Sequence, residues 1–301
     1  QNNLRQADVP VGAVTIEQMP GTAPGLVCPV GDKVIYAVPG VPSEMRDMVN
    51  GTVLPDLILR SGSTSVIRSR VLRTWGESES GLAELLAEEI ERLDATGGPT
   101  LAFLASGMEG LKVRITAKGD TEEDALAMLA EEEGRVRAII GSVVFGVDEQ
   151  NMESVVLDLL VAQGLTMATA ESMTGGMIGA RLTEVPGASR AFVGSVVSYA
   201  NSVKHELLGV PEGPVVSEAA VRAMAAGVCR ATGANVSVAV TGVAGPEPQE
   251  GVEPGVVWIA TSVDAVTEAV QVRFPYGRTM TRQLTVISAL NMLRRRLINR
   301  G

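Results

Sequence analysis

The fold is decided by residues 165–182, which read LTMATAESMTGGMIGARL. The apolar run 165–170 has the length of a buried strand, and polar residues and two glycines end it. The spacing of apolar residues that follows predicts a helix over 173–182. A buried strand, a glycine-containing turn and a helix in this order are typical of an α/β sheet.

The same alternation extends over residues 150–301. Helices are predicted at 152–163, 201–208, 217–231 and 278–297. Strands are predicted within 191–199 and at 236–240, 256–262 and 269–274. We therefore expect a three-layer α/β domain over 150–301.

Two other regions precede this domain. The pattern of residues 61–149 predicts a small α+β domain. Its predicted elements are a strand at 66–73, a helix from 78 or 80 to 93, a hairpin of strands at 100–104 and 111–116, and a helix at 121–140. Residues 1–60 contain one buried strand, 34–38, and one helix that starts near Ser43. These are too few elements to close a sheet, so we interpret 1–60 as the tail of a domain.

Composition narrows the function classes. The 301 residues carry 35 acidic and 25 basic side chains, a formal net charge of −10, which repels nucleic acid and anionic lipid over most of the surface. Two cysteines and one histidine provide neither a disulfide framework nor a metal cluster.

No apolar run is long enough to span a bilayer and no signal peptide is evident, so we expect a cytoplasmic protein. The chain opens with Gln1 rather than Met, and we expect a fragment or a processed product.

Loops at the carboxyl ends of strands bind ligands in α/β sheets. After the first strand, Ser172, Thr174, Gly175 and Gly176 precede a helix whose first N–H groups can face an anion. The two hydroxyls could instead only cap that helix. The spacing leaves anion binding and capping both open.

The strand within 191–199 ends at Tyr199, and Lys204 follows in the first turn of a short helix that Asn201 or Ser202 would cap. The positive end of the helix dipole and burial in a cleft both favour a neutral amine, which can act as a general base. Ser189 lies on the turn before this strand. A serine activated by lysine is one interpretation, and a surface lysine beside an unrelated serine is the other.

The next candidate contacts lie at 241–246 and at the start of the last helix. Gly242 and Gly245 allow the backbone to approach a ligand and to donate to an oxyanion. Arg278 and Arg282 share one helix face, which predicts a site for a phosphate or carboxylate. Surface arginines paired with glutamates would be the plainer explanation.

A G-x-x-G sequence stands at 107–110, and it fits the loop by which KH domains grip an RNA backbone. In a KH domain this loop joins two helices, whereas here it is predicted to join two strands. Glu109 within it would also repel phosphate. We therefore favour a plain turn.

The motifs of 150–301 together resemble the CinA C-terminal family. The resemblance rests on AESMTGG at 170–176, the segment 187–204 with SYAN at 198–201, TGVAGP at 241–246 and Gly277-Arg278, in this order. Members of the family are nicotinamide-nucleotide amidases. The resemblance therefore implies an amidase domain.

Earlier segments resemble the remainder of full-length CinA proteins. GTAPG at 21–25 and PGVPSEM at 39–45 are similar to the end of a molybdopterin-binding (MoaB/MogA-like) α/β domain, and 61–149 is similar to the KH-like linker domain. The front of the molybdopterin-binding-like domain is not among these residues. The metal-dependent ADP-ribose pyrophosphatase activity that the family ties to that domain is therefore not expected.

Carried over by position, the resemblance implies roles for ten residues. Ser189 would be the nucleophile, with Tyr199 and Lys204 as its activating partners. Substrate contacts would come from Ser172, Thr174, Gly175, Gly176, Thr241, Gly242 and Arg278.

The reaction that the resemblance implies is hydrolysis of nicotinamide mononucleotide to nicotinic acid mononucleotide and ammonia. Lys204 would take the proton of Ser189, which attacks the amide carbon, and N–H groups near Ser172 or Gly242 would hold the oxyanion. Water would then cleave the acyl-enzyme. Glu171 is the expected acidic neighbour of the pyridinium ring. We expect no metal or cofactor, a small pyridine mononucleotide as partner, no nucleic acid, no membrane, and a homodimer.

The sequence leaves three alternatives open. The first is a non-catalytic nucleotide-binding module of a competence or DNA-damage response. The second is the pyrophosphatase activity of the N-terminal domain. The third keeps the amidase but makes Ser172 the nucleophile, because it lies on a strand-to-helix turn.

Overall fold

The computed structural model describes residues 8–17, 21, 23–62, 65–105 and 107–300, and the chain divides into two compact units, 1–66 and 67–301. In the first unit, a small apolar cluster centres on Ile16 and Met48. The predicted strand and helix are both present; Thr22 of the 21–25 motif lies outside the described residues. The elements are three antiparallel strands in sequential order, β1 (Val14–Thr15), β2 (Leu26–Val30) and β3 (Lys33–Ala37), then α1 (Pro42–Met48), a π-helical stretch (Val49–Val53) and α2 (Leu54–Ser61).

The second unit begins with a four-stranded sheet in the order β5-β6-β4-β7. The helix predicted from 78 or 80 to 93 is two helices that meet at Leu86, and the short last strand was not predicted. The elements are β4 (Val66–Thr74), α3 (Glu79–Leu85), α4 (Ala87–Thr96), β5 (Thr100–Ala105), β6 (Leu111–Gly119), α5 (Glu122–Ile140) and β7 (Val144–Val147).

A five-stranded sheet follows, in the order β12-β11-β10-β8-β9. Its first three strands along the chain are parallel and the last two are antiparallel. The elements are α6 (Met152–Ala162), β8 (Met167–Glu171), α7 (Met177–Thr183), β9 (Phe192–Val197), α8 (Asn201–Leu208), α9 (Glu218–Thr232), β10 (Val236–Gly242), β11 (Val256–Val263), β12 (Val266–Arg273) and α10 (Arg278–Ile298).

Successive side chains of β10 point to opposite faces of the sheet, and each face packs against a separate layer of helices. Val236, Val238 and Val240 belong to the core that includes residues of α6, α7 and α10, whereas Ala239 belongs to the core under α9. Because successive strand residues point to opposite faces, one strand supplies both cores. The predicted three-layer α/β architecture is confirmed.

The helix after β8 starts four residues later than predicted. It begins at Met177 rather than at residue 173, and a turn fills the interval. Gly175 and Gly176 have φ values of +63° and +93°, which glycine adopts at little cost and which interrupt a helix. The residue that caps α8 also differs from the prediction, because Ala200, not Asn201 or Ser202, is its N-cap.

The G-x-x-G turn joins two strands, as predicted. A short 3₁₀ turn, Gly107–Glu109, connects the antiparallel strands β5 and β6. Glu109 Oε1 lies 2.7 Å from Arg181 Nη2 on α7. Its carboxylate therefore contacts the helix that follows the 172–176 turn. None of the described helices is long and apolar enough to cross a membrane.

Two helical glycines provide a matched test of packing. A Cβ at Gly227 in α9 would overlap the carbonyl oxygen of Leu208, whereas a Cβ at Gly134 in α5 would meet open space. We expect Gly227→Ala to lower the free energy of unfolding by about 1–3 kcal/mol and Gly134→Ala to raise it by about 0.5–1 kcal/mol. Urea denaturation of both variants checks this, and equal effects would contradict the packing of α8 against α9.

Candidate functional site

Three parallel strands end at one edge of the five-stranded sheet, and a cavity of about 150 Å³ lies there. Ser172 follows β8, Tyr199 follows β9 and Gly242 ends β10. Such an edge is where α/β sheets bind ligands. The lining residues are Ser172, Met173, Tyr199, Lys204, Val215, Val216, Thr241, Gly242, Val243, Ala244, Gly245, Glu247, Gln249 and Arg278.

Lys204 is the most unusual of these residues, since its side chain is only 2% exposed. Its Nζ lies 3.5 Å from the carbonyl oxygen of Tyr199 and 3.4 Å from Asn201 Oδ1. Both distances are at the long end of hydrogen bonding, and neither acceptor is charged. Among the described residues no carboxylate forms an ion pair with this amine.

The electrostatic setting of Lys204 favours the neutral amine. Burial lowers the pKa of Lys204 below the ordinary value of 10.5, and the carboxylate of Glu250 opposes that shift by a smaller amount. The residue also lies in the first turn of α8, where the positive end of the helix dipole disfavours a cation. A buried neutral amine can accept a proton, so Lys204 has the character of a general base.

Ser172 lies on the turn directly after β8 and is 9% exposed. Within the described part of the chain its hydroxyl forms no hydrogen bond, and the amides of Met173 and Thr174 have no acceptor. The carbonyl of Ser172 accepts from Gly175 N at 3.0 Å, which closes the turn. The Ser172 hydroxyl and the two N–H groups that follow it are therefore free to contact a ligand in the cavity.

The carboxylate of Glu171 is fully buried and organises this turn. It accepts five hydrogen bonds of 2.8–3.1 Å: from Thr174 Oγ1, Gly176 N and Ile178 N on Oε2, and from Gly179 N and Ser195 Oγ on Oε1. The Thr169 hydroxyl donates to Ser195 Oγ at 2.7 Å and so supports this serine. Hydrogen bonds from this many donors hold the side chain firmly in one position. Glu171 therefore supports the turn that carries Ser172.

This network decides between the two alternatives for the 172–176 turn and corrects the role expected of Glu171. The N–H groups at the start of α7 do not face a ligand anion, because the Glu171 carboxylate already accepts from three of them. Glu171 itself cannot be the acidic neighbour of a substrate ring, since it is fully buried.

Three predicted substrate contacts do not line the cavity. The Thr174 hydroxyl is buried and donates to Glu171 at 2.8 Å. Gly175 and Gly176 are required by their positive φ, and a Cβ there would come within 3.3 Å of Arg282 and Val197 respectively. These residues shape the turn.

The two arginines at the start of α10 have different roles. Arg278 donates to the Tyr199 hydroxyl at 3.0 Å and to the Gly245 carbonyl at 3.1 Å, and it lies exposed at the cavity mouth. Arg282 instead donates to the carbonyls of Met173 and Thr174 at 2.9 and 2.7 Å, which anchors the serine turn to α10. The predicted two-arginine anion site is therefore reduced to Arg278.

Tyr199 contacts Lys204 through its backbone rather than its phenol. The ring is 61% exposed and its hydroxyl accepts from Arg278. The backbone carbonyl lies near the amine. This arrangement places the phenol at the cavity mouth.

Thr241 and Gly242 line the cavity, and both also stabilise the packing of β10 against its neighbours. The buried Thr241 hydroxyl donates to the Val215 carbonyl at 2.8 Å, which ties β10 to the segment before α9. A Cβ at Gly242 would lie 2.7 Å from the Val256 carbonyl of the neighbouring strand. Close backbone packing therefore requires glycine at this position.

Ser189 is not brought to Lys204. It lies exposed on a 3₁₀ turn before the amino end of β9, whereas Tyr199 follows the carboxyl end of the same strand. Six strand residues at about 3.3 Å each separate the two sheet edges by roughly 20 Å. The predicted Ser189–Lys204 pair is therefore corrected, and Ser172 is the serine at the cavity.

Several lining residues were not predicted from the sequence. Val215 and Val216 precede α9, and Glu247 and Gln249 belong to the loop between β10 and β11. Asn201, which was interpreted as a cap, instead contacts the amine of Lys204. The sequence offered one usable signal for the loop, its acidic run from 247 to 253.

A larger depression of about 880 Å³ lies elsewhere, between the segments near Trp75 and Val143 and the last turns of α10. None of the predicted site residues lines it. The chemistry-bearing residues converge on the smaller cavity, which is the candidate site. Within the described residues, no group of three or more His, Cys, Asp or Glu side chains is arranged to hold a metal ion.

Comparison with known proteins agrees with this architecture. A family model described as the CinA C-terminal domain matches residues 149–297, and one described as the damage-inducible protein CinA KH domain matches 69–146. A CinA-like protein of Frankia casuarinae is 46% identical over 302 residues, which cover 99% of this chain and 70% of that protein. The chain belongs to the CinA family.

Other CinA relatives are similar. A CinA-like protein of Gloeobacter violaceus is 42% identical over 306 residues, covering 99% of this chain and 71% of that protein. A crystal structure of a CinA superfamily protein from Klebsiella pneumoniae has 30% sequence identity and a TM-score of 0.48, and covers 50% of this chain and 99% of that one. In this CinA chain, the C-terminal match contains the whole five-stranded sheet and the cavity.

The Glu171 network leads to a stability prediction. In Glu171→Gln an NH₂ group replaces one carboxylate oxygen and faces hydrogen-bond donors, so we expect the free energy of unfolding to fall by about 2–4 kcal/mol. Chemical denaturation at neutral pH measures this. Glu184→Gln, at an exposed position just after the same helix, is the matched control and should leave stability unchanged. Equal stability of the two variants would contradict the network.

Proposed function

We propose that this CinA-family chain is an amidohydrolase that converts nicotinamide mononucleotide to nicotinic acid mononucleotide and ammonia, with Ser172 as nucleophile and Lys204 as general base. The observation that carries the proposal is the buried amine of Lys204 in the same small cavity as the uncommitted Ser172 hydroxyl. A serine activated by a neutral lysine performs acyl transfer without histidine.

In the proposed first half-reaction, neutral Lys204 takes the proton of Ser172 and the oxygen attacks the carboxamide carbon. The N–H of Met173 stabilises the resulting oxyanion. The ammonium of Lys204 returns the proton to the amide nitrogen, which leaves as ammonia. An ester between Ser172 and the nicotinoyl group remains.

In the proposed second half-reaction, Lys204 takes a proton from water as the water attacks the ester. The tetrahedral intermediate collapses, the proton returns to the Ser172 oxygen, and the carboxylic acid product leaves. Each half-reaction begins and ends with a neutral amine. The cycle therefore needs the lowered pKa of Lys204 at both steps.

The size of the cavity suits a ring-sized substrate group, and charged side chains lie at the cavity mouth. About 150 Å³ suits the pyridine ring with its carboxamide better than a whole mononucleotide. Arg278 at the mouth suits the phosphate, since a guanidinium pairs with phosphate oxygens. Glu247, rather than the buried Glu171, supplies the negative charge for the pyridinium ring.

We propose the domain boundaries 1–60, 61–149 and 150–301, residues 1–60 as the end of a molybdopterin-binding-like domain, and a homodimer. The reaction proposed for the cavity depends on none of them.

The serine assignment gives a direct test. We expect Ser172→Ala to reduce ammonia release from nicotinamide mononucleotide by at least about 10³-fold, because the nucleophile is lost, and Ser189→Ala to remain within a few-fold of the parent chain. A coupled assay for ammonia, with and without chelator, measures both. Loss of activity in Ser189→Ala alone would overturn the assignment of Ser172.

The same assay separates the proposal from a nucleotide-binding module. A module without catalytic activity would bind the mononucleotide, as isothermal titration calorimetry would show, and release no ammonia. Metal-dependent release of a nucleoside monophosphate from ADP-ribose would instead support the pyrophosphatase alternative. Absence of ammonia release, with either of these results, would contradict the proposed amidase.

A further inference from the structure

The loop between β10 and β11 carries a glutamate in an unusual backbone conformation. Gln249 and Val252 exchange backbone hydrogen bonds of 3.1 and 2.8 Å, so Glu250 and Gly251 form a two-residue hairpin tip. Their φ values are +52° and +75°. Such a tip favours Asn, Asp or Gly, and a glutamate in the left-handed region is strained.

The side chain of Glu250 makes contacts that offset this strain. Its Oε2 accepts from Val215 N at 2.9 Å and from Val216 N at 3.4 Å, across 35 and 34 residues of sequence. Hydrogen bonds from N–H groups to a carboxylate are about twice as strong as those between neutral groups. The tip of the loop is therefore fixed to the segment that precedes α9.

These contacts determine the shape of the cavity. Val215 and Val216 line one wall, and Glu247 and Gln249, on the same loop as Glu250, line another. Val252 of this loop also packs on the cluster of Val215, Val216 and Val243. Releasing Glu250 would free the loop wall to move away from the valine wall.

Glu250 is also the carboxylate whose charge acts on the amine of Lys204. The other charged or titratable groups near that amine have other partners or face solvent. His205 Nδ1 lies 2.8 Å from the Val210 carbonyl, and Arg278 donates to the Tyr199 hydroxyl. Glu206 on the same helix and Glu247 on the loop are exposed. Removing the charge of Glu250 would favour the neutral amine further.

We propose that Glu250 is a positioning residue of the amidase site: its bonds to Val215 and Val216 hold the 246–255 loop as a cavity wall and keep a negative charge close to Lys204. This inference rests on the proposed function for its effect on turnover. The contacts themselves do not depend on the identity of the reaction.

Two variants separate the two roles. Glu250→Gln keeps an acceptor oxygen and removes the charge, whereas Glu250→Gly removes both and suits the positive φ, so it should fold. Glu253→Gln is the matched control, because it removes the same charge from an exposed position on the same loop.

Two readouts do not require turnover. In Glu250→Gly, we expect amide hydrogen exchange of Val215 and Val216 to quicken by roughly tenfold or more, because their acceptor is lost. In Glu250→Gln, we expect the pH at which acetic anhydride labels half of Lys204 to fall, because a nearby negative charge is gone. Mass spectrometry of the peptides measures both.

Comparison with Glu253→Gln decides whether the effects are specific to Glu250. If exchange in Glu250→Gly or labelling in Glu250→Gln equals that of Glu253→Gln, the proposal is overturned. For ammonia release we expect the KM of Glu250→Gly to rise roughly tenfold while Glu253→Gln matches the parent chain. If the parent chain releases no ammonia, the proposed amidase fails, and the exchange and labelling results still decide the role of Glu250.

Discussion

The burial of the Lys204 amine is the constraint on which the account of the site depends. A charged amine with only neutral oxygens at 3.4–3.5 Å recovers little of its hydration energy, so the neutral form is favoured. In this form the residue contributes a lone pair to the cavity instead of a positive charge. That property distinguishes a cavity suited to proton transfer from one suited only to holding an anion.

The site also depends on how firmly the turn that carries Ser172 is held in place. Glu171 accepts from the backbone of the turn, from the first turn of α7 and from Ser195 on β9, and Arg282 holds two carbonyls of the same turn from α10. Four elements thereby fix one short segment. For the proposed nucleophile this order means that little entropy is lost on reaction, and such positioning is a large source of enzymatic rate.

The sequence predicted the elements well where patterns are local. The valines of β10 and the helix position of Lys204 could be predicted directly, since both follow from the spacing of apolar residues, although the residue that caps α8 was predicted wrongly. Ser189 was assigned by resemblance, although its place before β9 already put it at the opposite edge from Tyr199. The bonds of Glu250 could not be predicted, because neither spacing nor composition tells which acceptor an N–H group finds across 35 residues. The bonds of Glu171 were missed because they depend on the glycine turn at 175–176, which was interpreted as part of a helix.

The central claim is that Lys204 is uncharged under conditions in which an ordinary lysine is charged. Titration of the ¹⁵N-labelled side-chain amine by NMR, assigned with Lys204→Met, measures this directly. The account predicts that Lys204 loses its proton at a pH clearly below the ordinary lysine value of 10.5, in the direction that burial imposes. A titration together with the exposed lysines of the chain would contradict it.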